Sequence, residues 1–239
     1  MKEVYNDLID RWIDGSGRGF GLKTDLYDEA VSSHGLVPLL NLKCESVIGI
    51  DVSPDVVMAA KERLDKEWHK KYNVAVSDVR HIALKSESFD YILSNSTLDH
   101  FQHSKDMILS LRELCRILKP GGIFVITLDN PSNPLIYLRN ILPYWSLKLC
   151  RLVPFYMGVT VTERQLINQL KYTGFTVCDS TIIAHCPRIF AIWVGCILNK
   201  IGSERMKICS LKLMKMFKCL ESFPMRNITG YFIAVKAVK

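Results

Sequence analysis

The residue best placed for chemistry is a carboxylate that follows a short apolar run. Val47-Ile48-Gly49-Ile50 is typical of a strand buried on both faces, and Asp51 comes directly after it. Open α/β sheets bind ligands at the carboxyl ends of their strands, where a carboxylate can accept hydrogen bonds from both hydroxyls of an adenosine ribose. The alternative is that Asp51 only caps the next helix, but Ser53 already supplies that cap. Asp51 is therefore predicted to bind an adenosine-containing ligand, with Val52 beside it.

Three further segments supply polar residues for a site or lie next to it in the sequence. Ser77-Asp78-Val79-Arg80 follows the next predicted strand, where a carboxylate and a neighbouring backbone N–H can meet an adenine amino group and ring nitrogen. Residues 88–100 read SFDYILSNSTLDH, a strand with polar residues behind it, and residues 111–122 read LRELCRILKPGG. The first two segments place polar side chains at the same sheet edge as Asp51.

Taken in order, these segments resemble the class I family of S-adenosylmethionine-dependent methyltransferases. The matching residues are GIDVSP, SDVR, SFDYILSNSTLDH and LRELCRILKPGGIFVIT, which together cover 47–128. The ordered set is far more specific than any single member. The resemblance implies a methyltransferase with S-adenosylmethionine as cofactor. It also implies a binding set of Asp51 and Val52 at the ribose, Asp78 and Val79 at the adenine, and Asn95 and Ser96 beside the methionine.

The order of apolar patterns predicts an α/β fold. Strands are expected at 21–26, 47–50, 74–76, 91–93, 123–128, 175–184 and 231–238, and helices at 4–13, 53–64, 104–118 and 162–172. Strands that alternate with helices pair in parallel through right-handed crossovers. The resemblance adds a Rossmann-like, doubly wound, mostly parallel seven-stranded sheet with an antiparallel last strand. We expect a single domain over 1–239, with helical cap segments at 131–158 and 187–224.

The first loop departs from the family pattern, in which an acidic residue ends the first strand, G-x-G follows, and the ribose carboxylate lies about twenty residues later. That spacing falls on Asp25-Leu26-Tyr27-Asp28-Glu29, which has no glycine. In one placement the first strand ends at Asp25, and Asp25 or Glu29 reaches the methionine ammonium. In the other, Asp14-Gly15-Ser16-Gly17 is the motif and an insertion follows it. The spacing favours the first placement.

Asp99 and His100 are the candidate catalytic residues, because they follow the fourth strand near the expected position of the methyl group. A neutral imidazole there can accept a proton from an acceptor hydroxyl, amine or thiol. The alternative is that His100 packs against the next helix or only shapes the pocket. Methyl transfer from a sulfonium depends above all on alignment and partial desolvation, so a dedicated base is optional.

Composition and charge limit the partners and the compartment. The net charge is +7, but the lysines are scattered, which favours an evenly solvated surface over an anionic partner. Eight cysteines without a CxxC pair indicate buried, reduced thiols, a cytoplasmic protein and no metal site. The chain opens on charged residues, so a signal peptide is not expected, and the longest apolar run, 189–198, is too short to span a bilayer.

The acceptor is expected to be small and apolar or lipid-like, because residues 187–222 look helical and rich in Met, Cys and Lys. Such a cap can line an acceptor pocket, make a peripheral membrane contact, or simply pack as core. Nucleic acid is not expected, since Asn95-Ser96-Thr97-Leu98 is not the Asn/Asp-Pro-Pro-aromatic tetrapeptide with which members of the family methylate the amino groups of bases. A non-catalytic S-adenosylmethionine-binding or regulatory protein is the alternative, favoured by the missing G-x-G. A nicotinamide-dependent oxidoreductase ranks third.

Overall fold

The structure is a computed structural model that describes residues 2–13, 19–32, 35–67, 72–142, 158, 160–185, 217–223 and 225–239. Of the predicted cap segments, it describes 131–142, 158 and 217–223. The rest of both segments, and the alternative first motif at 14–17, lie outside the described residues. The division into one domain with a cap therefore stays a prediction.

Strands and helices alternate along most of the chain. The strands are β1 (Phe20–Thr24), β2 (Ser46–Asp51), β3 (Tyr72–Val76), β4 (Phe89–Asn95), β5 (Leu118–Asp129), β6 (Thr176–Ile183) and β7 (Phe232–Val238). The helices are α1 (Lys2–Trp12), α2 (Tyr27–Val31), α3 (Val37–Lys43), α4 (Pro54–Glu67), α5 (Ser104–Ile117), α6 (Pro134–Ile141), α7 (Glu163–Tyr172) and α8 (Arg226–Thr229). Short 3₁₀ turns lie at Leu98–His100 and Phe217–Ser222.

The strands form one seven-stranded sheet in the order β3-β2-β1-β4-β5-β7-β6. β1 pairs in parallel with β2 and with β4, and β4 pairs in parallel with β5. β7 is antiparallel to both of its neighbours, β5 and β6. This confirms the predicted doubly wound sheet with a reversed last strand. The strand order turns back between β1 and β4, and ligands of such sheets bind in the crevice outside that switch point.

Each face of the sheet buries its own layer of helices. On one face, Leu111 and Leu114 of α5 and Leu166 of α7 are fully buried in one apolar cluster. On the other, Leu8 of α1 and Leu40 of α3 are fully buried in a second cluster. Burying one such side chain is worth about 1.5–3 kcal/mol, so these two clusters hold the sheet on which the site is built.

Pro120-Gly121-Gly122, directly after the predicted helix 104–118, lies inside a strand. β5 begins at Leu118, and its pairing with β4 shifts register between Phe89 and Tyr91. The shift accommodates Gly121, whose φ of 76° favours glycine. The helix ends at Ile117, before the proline and the two glycines. The glycines lie in the irregular part of β5, where the pairing with β4 changes register.

The cysteine prediction is wrong in part. Cys44 is buried, but Cys178 and Cys219 are exposed free thiols. Cys178 lies on β6, a strand at the edge of the sheet, where alternate side chains face solvent. Among the described helices, none is long and apolar enough to cross a bilayer.

Candidate functional site

The ends of β1 and β4 are tied together at the switch point. Thr24 pairs in register with Ser94, and its hydroxyl donates to Ser94 Oγ over 2.9 Å. The Thr24 and Thr97 hydroxyls also lie 2.8 Å apart. These bonds fix the loop behind β4, which carries the candidate catalytic residues, to the end of β1.

Asp51 ends β2, and backbone donors orient its carboxylate. Oδ2 accepts from Leu26 N–H and Oδ1 from Ser53 N–H, both over 2.9 Å. Leu26 is fully buried and packs against Gly49, where a Cβ would lie 2.5 Å from Leu26 Cδ2. A carboxylate has about four acceptor positions, so two remain for a ribose diol. Val52 follows with 68% of its surface exposed.

Asp25 follows β1 directly, as the favoured placement predicts for the end of the first strand. Its backbone has a φ of 71°, a conformation more usual for glycine. Its N–H donates to Ile50 O over 2.8 Å, and its Oδ1 accepts from Tyr27 N–H over 2.7 Å. Burial raises the pKa of Asp25, and the nearby Lys23 opposes the shift.

The Glu29 carboxylate has partners for both of its oxygens inside the fold. Oε2 lies 2.8 Å from Lys23 Nζ, and both side chains are fully buried. Oε1 accepts from Leu36 N–H over 2.7 Å and from Val37 N–H over 2.9 Å, at the start of α3. Because the carboxylate is engaged in this way, we leave Glu29 out of the proposed cofactor contacts. Sequence reasoning missed Lys23. The signal that could have identified it is its charge inside a predicted strand of the sheet.

The predicted adenine segment adjoins Asp51, because Ser77 N–H donates to Asp51 O over 2.9 Å. Asp78 is held by Arg80, whose Nη2 lies 2.6 Å from Oδ2 and whose Nε donates to both oxygens over 3.0 Å. These hydrogen bonds hold the pKa of Asp78 below its usual value. Val79 is buried in the core below the loop, so its backbone is the part available to a ligand.

Asn95 ends β4 with an unpartnered acceptor. Its side chain is 7% exposed, and Oδ1 accepts no hydrogen bond from the described residues. Ser96 follows with a φ of 47° and donates its N–H to Thr127 O over 2.8 Å. Leaving a buried acceptor unpaired costs about 1–3 kcal/mol, which suits a position that receives a donor from a ligand.

Asp99 is fully buried in the turn behind β4. Oδ2 accepts from Asp129 N–H over 3.2 Å, while Oδ1 accepts no hydrogen bond and lies 4.0 Å from His100 Nε2. Burial, then the negative charge of Asp129, raises the pKa of Asp99 to about 7, and His100 opposes the shift. Asp99 can therefore exchange a proton near neutral pH, a property of general acid–base groups.

Three contacts from distant segments complete this edge. The Tyr5 hydroxyl, from α1, lies 2.8 Å from Thr127 Oγ1 at the end of β5. Arg139 Nη1, from α6, lies 2.7 Å from Asp129 Oδ2. Gly158 N–H donates to Asp99 O over 2.8 Å. Sequence reasoning missed Tyr5, since nothing local shows that a helix before β1 reaches β5.

The described residues include no group of three or more His, Cys, Asp or Glu side chains that could hold a metal ion. What they bring together is a fixed carboxylate at Asp51, a buried acceptor at Asn95 and a titratable carboxyl at Asp99. The first two suit a nucleoside that carries donor groups, and the third suits proton exchange with a second molecule.

The methyltransferase domain family model matches residues 30–126. A demethylmenaquinone methyltransferase of Lactococcus lactis is 28% identical over 105 residues, 41% of this chain and 40% of that protein. A 2-methyl-6-phytyl-1,4-hydroquinone methyltransferase of Synechocystis is 31% identical over 110 residues, 42% of this chain and 33% of that protein. The chain thus matches less than half the length of these curated relatives.

A solved S-adenosylmethionine-dependent methyltransferase from Methanosarcina mazei superposes with a TM-score of 0.63, over 97% of this chain and 96% of that one, at 14% identity. The predicted resemblance to class I methyltransferases and the predicted fold are both confirmed. The matching domain model and the names of these relatives agree with the predicted activity and cofactor, which are taken up as a proposal below.

Proposed function

We propose that this protein transfers a methyl group from S-adenosylmethionine to a small apolar acceptor of the quinone or lipid type. The observation that carries the proposal is the Asp51 carboxylate, held by two backbone N–H groups beside the switch point of the sheet. When bound, the cofactor supplies an activated methyl group on a sulfonium.

The donor is proposed to lie across the ends of β2, β1 and β4. Asp51 and Val52 bind the ribose, and Asp78 with the Val79 backbone meets the adenine. Asp25, Asn95 and Ser96 face the methionine part. The unpartnered Asn95 Oδ1 suits an ammonium, because that group has three N–H donors and no acceptor.

Proton removal from the acceptor is proposed for Asp99, with His100 beside it. A hydroquinone hydroxyl becomes a better nucleophile when a nearby base takes its proton. Asp99 Oδ1 is buried and unpartnered, and the pKa of this carboxyl is about 7, which favours such a transfer at neutral pH. His100 is partly exposed and can pass the proton on to solvent.

The apolar acceptor is supported by two observations. The two relatives named above carry quinone-type substrates in their names. The described part of the first cap segment also exposes large apolar side chains on α6, namely Leu135, Tyr137, Leu138 and Ile141. A helix of this kind suits the entry of a lipid-like molecule or a peripheral membrane contact.

A non-catalytic S-adenosylmethionine-binding protein is the second candidate, because the first loop lacks the family's glycines. Calorimetry with S-adenosylmethionine, its demethylated product and NAD separates donor binding from nicotinamide binding. Transfer of labelled methyl groups into lipid and aqueous extract fractions then tests catalysis. We expect binding of the first two ligands and label in the lipid fraction. Donor binding without any transfer would favour the second candidate, and binding of NAD alone would contradict both.

A further inference from the structure

We infer that Lys23 is a positioning residue for donor binding, and that its buried ion pair with Glu29 takes the place of the glycine-rich first loop. The inference rests on the proposed function. It concerns how the Asp51 carboxylate is held, since the Lys23 side chain itself is fully buried.

Lys23 is in the middle of the sheet, where a charge needs a partner. It pairs in register with Gly49 of β2 and Leu93 of β4, and its side chain is fully buried. Its ammonium lies 2.8 Å from Glu29 Oε2 and also donates to Asp25 O. Although burial opposes it, the negative charges of Glu29 and Asp25 raise the pKa of Lys23, so the ammonium stays charged.

Glu29 connects this charge to α3. Its other oxygen accepts from the first N–H groups of that helix, at Leu36 and Val37. Gly35 makes room for it, because a Cβ there would lie 2.7 Å from Glu29 Cγ. The carboxylate that pairs with Lys23 is therefore itself held by the backbone at the start of α3.

The link to Asp51 runs through one peptide group. The Asp25 carbonyl and the Leu26 N–H belong to the same planar unit and point in opposite directions. Lys23 Nζ holds the carbonyl, and Asp51 Oδ2 accepts from the N–H over 2.9 Å. Losing the Lys23 contact frees this peptide to rotate, and the Asp51 carboxylate then loses one of its two orienting donors.

The bonds of Asp25 explain why the turn works without glycine. Asp25 adopts a φ of 71°, at a cost that glycine would avoid. Its N–H is bonded to Ile50 O and its Oδ1 to Tyr27 N–H, and Lys23 holds its carbonyl. Side-chain and backbone bonds thus stabilise a conformation that the family pattern leaves to glycine.

The test is a double-mutant cycle on donor affinity. Lys23→Met combined with Glu29→Gln removes both charges and leaves no buried ion unpaired. We expect S-adenosylmethionine affinity, measured by calorimetry, to fall about tenfold or more, with thermal unfolding recorded alongside. Asp51→Asn alone should weaken binding by a similar factor. If Lys23 acts through Asp51, the triple variant Lys23→Met, Glu29→Gln, Asp51→Asn should bind little worse than Asp51→Asn alone.

A purely structural role for Lys23 would make the two losses multiply, which would overturn the inference. Unchanged donor affinity in the Lys23→Met, Glu29→Gln variant would overturn it as well. Lys23→Arg is the second variant if the first does not fold: it keeps a cation opposite Glu29 but changes the donor that holds the Asp25 carbonyl, and it should give about a threefold loss, again not multiplying with Asp51→Asn. If the unmodified protein fails to bind S-adenosylmethionine, the proposed function itself is wrong.

Discussion

Asp51 and Asp99 are carboxylates at the same edge of the sheet, and they differ in exposure and in the number of hydrogen bonds they accept. Asp51 is partly exposed and receives one backbone N–H on each oxygen. Asp99 is fully buried, has one long hydrogen bond, and leaves Oδ1 unpartnered. A carboxylate stabilised by backbone donors is suited to holding a ligand, whereas one that is desolvated and under-bonded is suited to exchanging a proton.

The largest effect is expected from Asp99→Asn. The amide can still accept from Asp129 N–H but cannot take a proton from the acceptor. We expect kcat for methyl transfer to a prenylated hydroquinone to fall about 10²-fold or more, with donor affinity little changed. The exposed Asp55, in the first turn of α4, provides the control Asp55→Asn, which should leave the rate unchanged. If Asp99→Asn keeps the rate of the unmodified protein, Asp99 does not take the proton of the acceptor.

The pH dependence of stability should follow the raised pKa of Asp99. Burial raises the pKa of Asp99 in the folded protein to about 7, above the usual aspartate value of about 4, so between these values the native state binds the extra proton. The free energy of unfolding therefore falls as pH rises through this window, with a slope of at most about 1.4 kcal/mol per pH unit from this group. Urea titrations from pH 4 to 8 measure the slope, and Asp99→Asn should flatten it. Equal slopes in both proteins would mean that Asp99 titrates normally.

Asp51→Ala should act on binding and leave folding intact. Removal of the carboxylate is expected to cost about 1.5–3 kcal/mol of S-adenosylmethionine affinity, the range for a lost charged hydrogen-bond partner. The melting temperature should change little, because Asp51 is partly exposed and its backbone stays in β2. Calorimetry on Asp51→Ala and Asp55→Ala measures the difference. Equal affinities in these two variants would contradict the ribose assignment.

The same contrast shows what sequence could predict. The end of β2 and its carboxylate follow from a local apolar run, and the parallel sheet follows from regular strand–helix spacing. The environment of Asp99 does not, because its pKa depends on burial and then on the charge of Asp129, thirty positions along the chain. Nor does the engagement of Glu29, which depends on how Lys23 is buried between two neighbouring strands. Local patterns determine which elements form, and non-local packing determines which carboxylates remain available.

Asp25 gives the smallest and most discriminating prediction, because it lies between the two extremes. Burial raises its pKa as it does for Asp99, yet its Oδ1 accepts a backbone N–H, as each oxygen of Asp51 does. We expect Asp25→Ala to weaken S-adenosylmethionine binding by about 1 kcal/mol, since one charged hydrogen-bond partner is lost and the turn at Tyr27 loosens. Asp14→Ala, at the alternative first motif, should have no effect. Calorimetry on the two variants decides between the placements, and a larger loss from Asp14→Ala would move the first motif to the glycine run.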